Sequence, residues 1–265
     1  MKHFGRNLFL WIVFALMYAP ILYLVFYSFN KGDYMSHFSG FSWRHYGDMF
    51  ADARLMQILV DTFIVALLSS LLSTIIGTMG ALLVYGERKK WFKDGLLSLN
   101  NVLLVSPDVI IGASFLILFT VLGIQLGFGS VLLSHIAFSI PIVVLMILPN
   151  LQEMPNSLAE SAQDLGANGW QVLSKVVLPY TWPGVLAGFF MALTYSLDDF
   201  AVTFFVTGNG FSTLSVEIYS RARQGIDLSI NALSALMFLL SLILVVAYYF
   251  ISSNSSRSKK KVVAK

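Results

Sequence analysis

Cysteine is absent from all 265 residues, which excludes disulfides, thiolate nucleophiles and thiolate metal ligands. Charge is nearly as scarce: Asp, Glu, Lys and Arg make up 12% of the chain, against roughly 25% in a soluble domain. The chain also lacks any G-x-x-x-x-G-K-[ST] phosphate loop, so it is not a P-loop ATPase. Its four histidines, His3, His37, His45 and His135, show no metal-ligand spacing, no paired-His helix and no Ser-His-Asp order. No enzyme is expected from this set. His135, alone in a long apolar run, reads as a packed or hydrogen-bonded core residue in preference to a proton relay.

What the chain has in abundance is apolar surface, with 57% hydrophobic residues and a mean hydropathy of +0.76. The apolar runs cover the whole length and leave no room for a sizeable aqueous domain. The expectation is an all-α polytopic membrane protein forming one membrane domain over 1–265. Lys2 and Arg6 precede an apolar run from about 8 to 29. That run is longer than the core of a cleaved signal and lacks a small-residue cleavage site, so it reads as a retained first span. At about 20 apolar residues per span, six transmembrane helices are expected, near 8–29, 58–84, 96–122, 128–150, 184–206 and 229–251.

Basic residues set the orientation. With the N-terminus cytoplasmic, that side holds Lys2, Arg6, Arg88, Lys89, Lys90, Lys93, Lys175, Arg257, Lys259, Lys260, Lys261 and Lys265. The other side holds Lys31, Arg44, Arg54, Arg221 and Arg223. Both termini are therefore expected in the cytoplasm. The second and fifth spans, with SSLLSTIIGTMGA and GVLAGFFMALTYS, carry small and hydroxyl residues that let helices approach closely, and both are expected to be packed. The loop at 30–57, with Trp43, Tyr46 and Phe50, suits a short interfacial helix. The basic tail at 252–265 reads as disordered beside anionic lipid.

One hydrophilic stretch stands apart, the cytoplasmic loop at 151–183, which contains ESAQDLGANGWQVLSKVVLP. Leu158, Ala162 and Leu165 share one face of a helix and Glu160 and Asp164 form a polar neighbour. Asn156 or Ser157 suits the N-cap and Gly166 the stop. A second segment over 170–177 is expected to end at Pro179. The product is a compact helix-turn-helix. Its poverty in Lys and Arg favours a protein partner over passive rest on lipid.

Three of the carboxylates in or near spans stand out: Asp108 in SPDVIIGAS, and Asp198 and Asp199 in SLDDFAVTFFVTG. An ionised Asp there costs about 2.5–3.5 kcal/mol on insertion scales and marks a pathway. Asp108, after Pro107, fits a helix cap equally well. Neighbours on a helix stand about 100° apart, so one of Asp198 and Asp199 is expected to face a central cavity, with Asp198 favoured. Tyr195, one turn away, can offer its ring to an ammonium group or simply pack. No Lys or Arg lies in these spans to neutralise the acids, whereas a cationic substrate would do so. Glu217 and Asp227, in the last outer loop, are candidates for receiving substrate or a binding protein, or are ordinary solvated residues.

Glu160, Ser161, Ala162, then Gly166, Val176, Leu178 and Pro179 resemble the EAA motif of ABC importer permeases: E-A-A, three residues, G, nine residues, I, one residue, L-P. Ser161 stands for the first Ala and Val176 for the Ile. The resemblance implies a type I ABC importer permease fold, with Glu160, Ser161, Ala162, Gly166, Leu178 and Pro179 forming a coupling helix seated on a cytoplasmic ATPase dimer. SPDVIIGAS, LDDFAVTFFVTG and EIYS look like the PotC-type permeases of spermidine/putrescine importers. That implies polyamine uptake through a pathway including Asp108, Tyr195, Asp198 and Asp199, at the bacterial cytoplasmic membrane. The implied partners are a second, homologous PotB-type permease subunit and an extracytoplasmic polyamine-binding protein, within the lipid bilayer and without nucleic acid. No cofactor is expected in this chain, since ATP and Mg would belong to the ATPase. Another cationic cargo, thiamine or ferric iron, remains open, as does an ion-coupled carrier using Asp108 and Asp198, although no repeated half supports the latter.

Overall fold

The computed structural model describes residues 2–224 and 228–263, with the side chains of 2–6, 244 and 247–263 excepted. The elements, in order, are α1 (Lys2–Tyr27), α2 (Arg44–Ala51), α3 (Ala53–Gly86), α4 (Lys90–Val105), α5 (Asp108–Val121), α6 (Phe128–Gln152), α7 (Asn156–Asp164), α8 (Gly169–Val172), a π turn (Leu173–Val177), α9 (Leu178–Asp198), α10 (Ala201–Val206), α11 (Leu214–Gln224) and α12 (Leu228–Val263). Among the described residues the only β feature is an isolated bridge between Asn30 and Phe41.

Helices occupy all six apolar stretches, but they do not form six uninterrupted spans. Among the described residues, four apolar segments are long enough to cross a bilayer: Asn7–Tyr27, Ala53–Gly86, Phe128–Gln152 and Gly169–Asp198. The expected third span is broken, with α4 and α5 meeting at 104°, and it makes a fifth crossing if the pair is one span. Ser106 is extended there (ψ 137°) because a following proline disfavours helical geometry, and Pro107 itself is extended (ψ 132°). The expected fifth span begins earlier than residue 184 and ends at Asp198, before the separate α10. The last apolar stretch forms a shorter apolar helix over Leu228–Ile243. The backbone of α12 continues helically to Val263 where a disordered tail was expected. Its sequence contains no Gly or Pro to stop it.

The chain divides into two compact units, Met1–Leu59 with Glu217–Ile243, and Val60–Val216 with Leu244–Lys265. In the first, α1 exposes Leu8, Phe9, Trp11, Phe14, Leu16 and Phe26 all round, as a helix solvated by lipid or a partner does. The loop after it is organised by Asn30, whose amide donates to the Tyr34 and His37 carbonyls and accepts from the Ser39 amide. Phe29 stacks on Phe41 and meets Trp43 edge-on, and α2 is the short helix expected there.

Asp52 caps α3 by accepting from the Arg54 and Leu55 amides at 3.0 and 3.1 Å, and takes the Arg221 guanidinium at 2.9 Å. Glu217 is buried and held by Arg221 at 2.8 Å and Arg54 at 3.3 Å. It is thus spent on internal ion pairs and is not open to an arriving substrate. Asp227 lies outside the described residues.

In the second unit α6 is the central helix. Val143, Val144, Ile147 and Leu151 join Ala81 of α3, Val172 of α8 and Ala192 of α9 in one buried cluster. Val65, Ile111, Phe119, Val131, Phe138, Val202 and Val206 form another, tying α5 and α10 to α6. The small residues of α3 and α9 do serve close packing. A Cβ on Gly77 would lie 2.6 Å from Val143 Cγ1. One on Gly184 would lie 2.6 Å from Asn150 Nδ2 and 3.0 Å from the Met146 carbonyl.

Two expectations follow. Gly184→Leu should cost about 1–3 kcal/mol by overpacking, while Gly80→Ala, whose Cβ would sit 3.5 Å from Val144, should be nearly neutral; equal unfolding curves in mixed micelles would refute the close approach. The Arg221 guanidinium beside Asp52, helped by the Leu55 and Arg54 amides and opposed by partial burial, holds its carboxyl below the usual range. A depressed folded pKa contributes stability above the unfolded value of about 4, and this is lost as pH falls through the folded value. Thermal midpoints should therefore drop more steeply below about pH 4 in the wild type than in Asp52→Asn.

Candidate functional site: a mounted loop and a carboxylate recess

The loop after α6 forms the expected helix-turn-helix, with differences that bear on its use. Pro155 (φ −61°, ψ 127°) leads directly into α7 at Asn156, with no side-chain cap. The stop is at Gly166, whose φ of +85° is accessible to glycine without steric cost. There the Ala167 amide donates to the Ala162 carbonyl at 3.0 Å and the Gly166 amide to Gln163 at 2.8 Å, the paired bonds of a Schellman turn. Asn168 then caps α8, accepting from the Gln171 amide at 2.9 Å while the Gln171 side chain accepts from the Asn168 amide at 2.8 Å.

Pro179 does not end the second segment. Proline lacks the amide that would close an α turn onto residue 175, and the chain inserts one π turn and runs on into α9. The apolar face also differs from the expectation. Ala159, Ala162 and Ala167 turn inward against the core, whereas Leu158, Leu165 and Trp170 are exposed, Leu165 to 90%, beside exposed Glu160 and Ser161. Leu178 is half-buried and Pro179 exposed. Tyr85 donates to Asn156 at 3.4 Å and Tyr180 to the Glu153 carbonyl at 3.3 Å, fastening the loop to α3 and α9.

Among the helices, Asp108, Tyr195 and Asp199 come together around one small recess, with Leu103, Leu104, Ile111, Phe138 and Val202. Asp108 opens α5, is exposed and makes no cap hydrogen bond. Tyr195 is 41% exposed and meets Phe138 edge-on at 5.6 Å. Asp198 is exposed but does not line this recess.

Asp199 has an extended backbone (ψ 122°), and its side chain turns inward with 8% exposure. It accepts from the Val202 amide at 3.2 Å and from the Thr203 amide and hydroxyl at 2.8 and 2.7 Å, capping α10 across the break. Behind it lies a buried polar chain. His135 Nε2 is 2.8 Å from Thr203 and 3.5 Å from Asp199, its Nδ1 is 2.6 Å from Ser196, and Ser69 donates to Ser196 at 3.0 Å. His135 is the hydrogen-bonded core residue that its apolar setting suggests, but the sequence does not identify its partners. The available signal is the hydroxyls of the small-residue spans, Ser69 and Ser196 among them, which serve this network as well as close packing.

A chain of several bilayer-length helices, with a partly apolar loop hydrogen-bonded to them and an acidic, aromatic recess among them, has the form of a membrane transport permease. Residues 73–260 match the family described as "Binding-protein-dependent transport system inner membrane component", and the chain belongs to that family. It is 37% identical over 243 residues to the spermidine/putrescine transport system permease protein PotC of Haemophilus influenzae, covering 92% of this chain and 94% of that one. It is 33% identical over 238 residues to the putrescine transport system permease protein PotI of Escherichia coli, covering 88% of this chain and 85% of that one. A bacterial ABC transporter involved in import of the acidic polysaccharide alginate superposes with a TM-score of 0.72 over 96% of this chain and 98% of that one. At 17% identity this is a likeness of fold.

Replacing Gly166 by Val should destabilise the turn by about 1–2 kcal/mol, read as roughly tenfold faster hydrogen exchange at the Gly166 and Ala167 amides. Unchanged exchange would mean that the Schellman turn does not hold the loop's shape.

Proposed function

We propose that this chain is the transmembrane permease subunit of an ATP-driven importer of polyamines, spermidine or putrescine, at the bacterial cytoplasmic membrane. The observation that carries the reading is the 37% identity to a spermidine/putrescine permease over more than nine-tenths of both chains. The permease has the type I architecture with six spans and cytoplasmic termini, supported by the distribution of Lys and Arg. It works with a second, homologous permease, a cytoplasmic ATPase dimer that binds the ATP and Mg, and an extracytoplasmic binding protein.

Each part of the site has a role in that reading. Leu158, Leu165 and Trp170, exposed beside Glu160, Ser161 and Asp164, supply apolar contact rimmed by charge for a cleft of the ATPase. Ala162 and Gly166 shape that surface, and Leu178 and Pro179 join it to α9. Because Gly169–Asp198 is one apolar helical run, displacement of the loop moves the far end of the run, near Tyr195, Asp198 and Asp199. The spans then alternate between inward and outward openings. In the pathway, Asp108, Asp198 and Asp199 offset the desolvation of an ammonium group and Tyr195 presents its ring to it.

The test is ATP hydrolysis by the complete complex in liposomes, with the binding protein outside. Spermidine or putrescine should stimulate wild type severalfold. Glu160→Ala and Gly166→Pro should abolish the stimulation while the complex still assembles. Stimulation by a different solute alone would overturn the polyamine assignment, and normal transport by the loop variants would overturn the coupling role.

A further inference from the structure

The break between α9 and α10 is crossed by one buried side chain. His135 stands on α6 with no exposure. Its Nδ1 meets Ser196, in the last turn of α9, and its Nε2 meets Thr203, in the first turn of α10. The proton arrangement follows from the partners. A carboxylate only accepts, so the Thr203 hydroxyl, 2.7 Å from Asp199, spends its one proton there. Thr203 can then only accept from His135, so Nε2 carries hydrogen. On the other side a neutral imidazole with hydrogen on Nε2 accepts at Nδ1 from the Ser196 hydroxyl, and Ser69 shares its proton between Ser196 at 3.0 Å and the Ala66 carbonyl at 3.2 Å. His135, Ser196, Thr203 and Asp199 each have a polar partner within this network, in a setting where an unpaired group is costly.

We propose that His135 is a positioning residue that pins both sides of this break and so fixes the Asp199 carboxylate at the recess it shares with Asp108 and Tyr195. The imidazole suits the task because its two nitrogens lie on opposite edges of a rigid ring and engage two helices at once. Val202, packed with Phe138 and Ile111, holds the start of α10 on the apolar side. His135, Thr203 and Ser196 hold it on the polar side. The consequence for transport rests on the polyamine reading above: with the pin removed, Asp199 and the start of α10 shift together, and recognition in the recess weakens while ATPase coupling, which enters through the loop at α7, persists.

The experiment uses the assembled complex in nanodiscs or liposomes and compares wild type with His135→Gln, His135→Phe and Thr203→Val. Glutamine places an amide N–H where Nε2 stands, whereas phenylalanine keeps the bulk and removes both hydrogen bonds. Hydrogen exchange at the Val202 and Thr203 amides, read without any solute, should rise about tenfold or more in His135→Phe and stay near wild type in His135→Gln. The half-saturating polyamine concentration for stimulating hydrolysis should rise about tenfold in His135→Phe and Thr203→Val, with maximal hydrolysis little changed and with rescue in His135→Gln. Equal exchange in all four proteins, or a fall in maximal rate with no change in half-saturation, would overturn the proposal. A wild type that ignores polyamines but shows the exchange pattern would remove the substrate reading and leave the pin standing.

Discussion

Every peptide N–H and C=O within hydrocarbon has to find its partner inside the protein, because no water is there to replace it. An uninterrupted helix meets that demand by itself and a broken one does not. The organisation of this chain turns on how it satisfies the two breaks in its apolar stretches. At the first, the Ser106 amide and hydroxyl both donate to the Val102 carbonyl and the Ile110 and Ile111 amides return to Pro107. At the second, the Asp199 carboxylate takes the Val202 and Thr203 amides. Each repair leaves a carboxylate beside an opened helix end, and the two ends border the same recess.

That arrangement depends on α6. It supplies the apolar wall against α3, α8 and α9 through Val143, Val144, Ile147 and Leu151, and on the same helix Phe138 and His135 meet the recess and the break. Close approach to α9 is possible because Gly184 has no Cβ. Ser130, farther along α6, donates to the Val206 carbonyl at 2.7 Å, satisfying the end of the short α10. Packing and polar satisfaction are thus arranged on one helix, which lets a short and otherwise marginal segment keep a definite position.

The loop follows the same economy at the surface. Ala159, Ala162 and Ala167 are half-buried against the core while Leu158 and Leu165 are exposed, the reverse of what amphipathic periodicity alone predicts for a resting surface helix. Small residues allow α7 to lie close to its support, and the larger apolar groups remain available to a partner. The π turn at Leu173–Val177 keeps the loop and α9 on one helical run despite Pro179.

Membrane character, the apolar segments, the helix-turn-helix with its stop at Gly166, and the set of acids in SPDVIIGAS and SLDDFAVTFFVTG were all legible in the sequence, because each depends on local periodicity, composition or a single residue's backbone preference. Tertiary structure decided what these features do. Nothing local indicates that a π turn will carry the chain past Pro179, that α9 ends at Asp198, or that Glu217, one turn from Arg221, also takes Arg54 from 163 residues away. Nor does sequence spacing show that Asp199, 64 residues from His135, shares a hydrogen-bond chain with it and with Ser69. The chain's own periodicity fixes which residues share a helix face. Only the packing of one helix on another fixes which faces meet, and the buried polar chain exists only where they do.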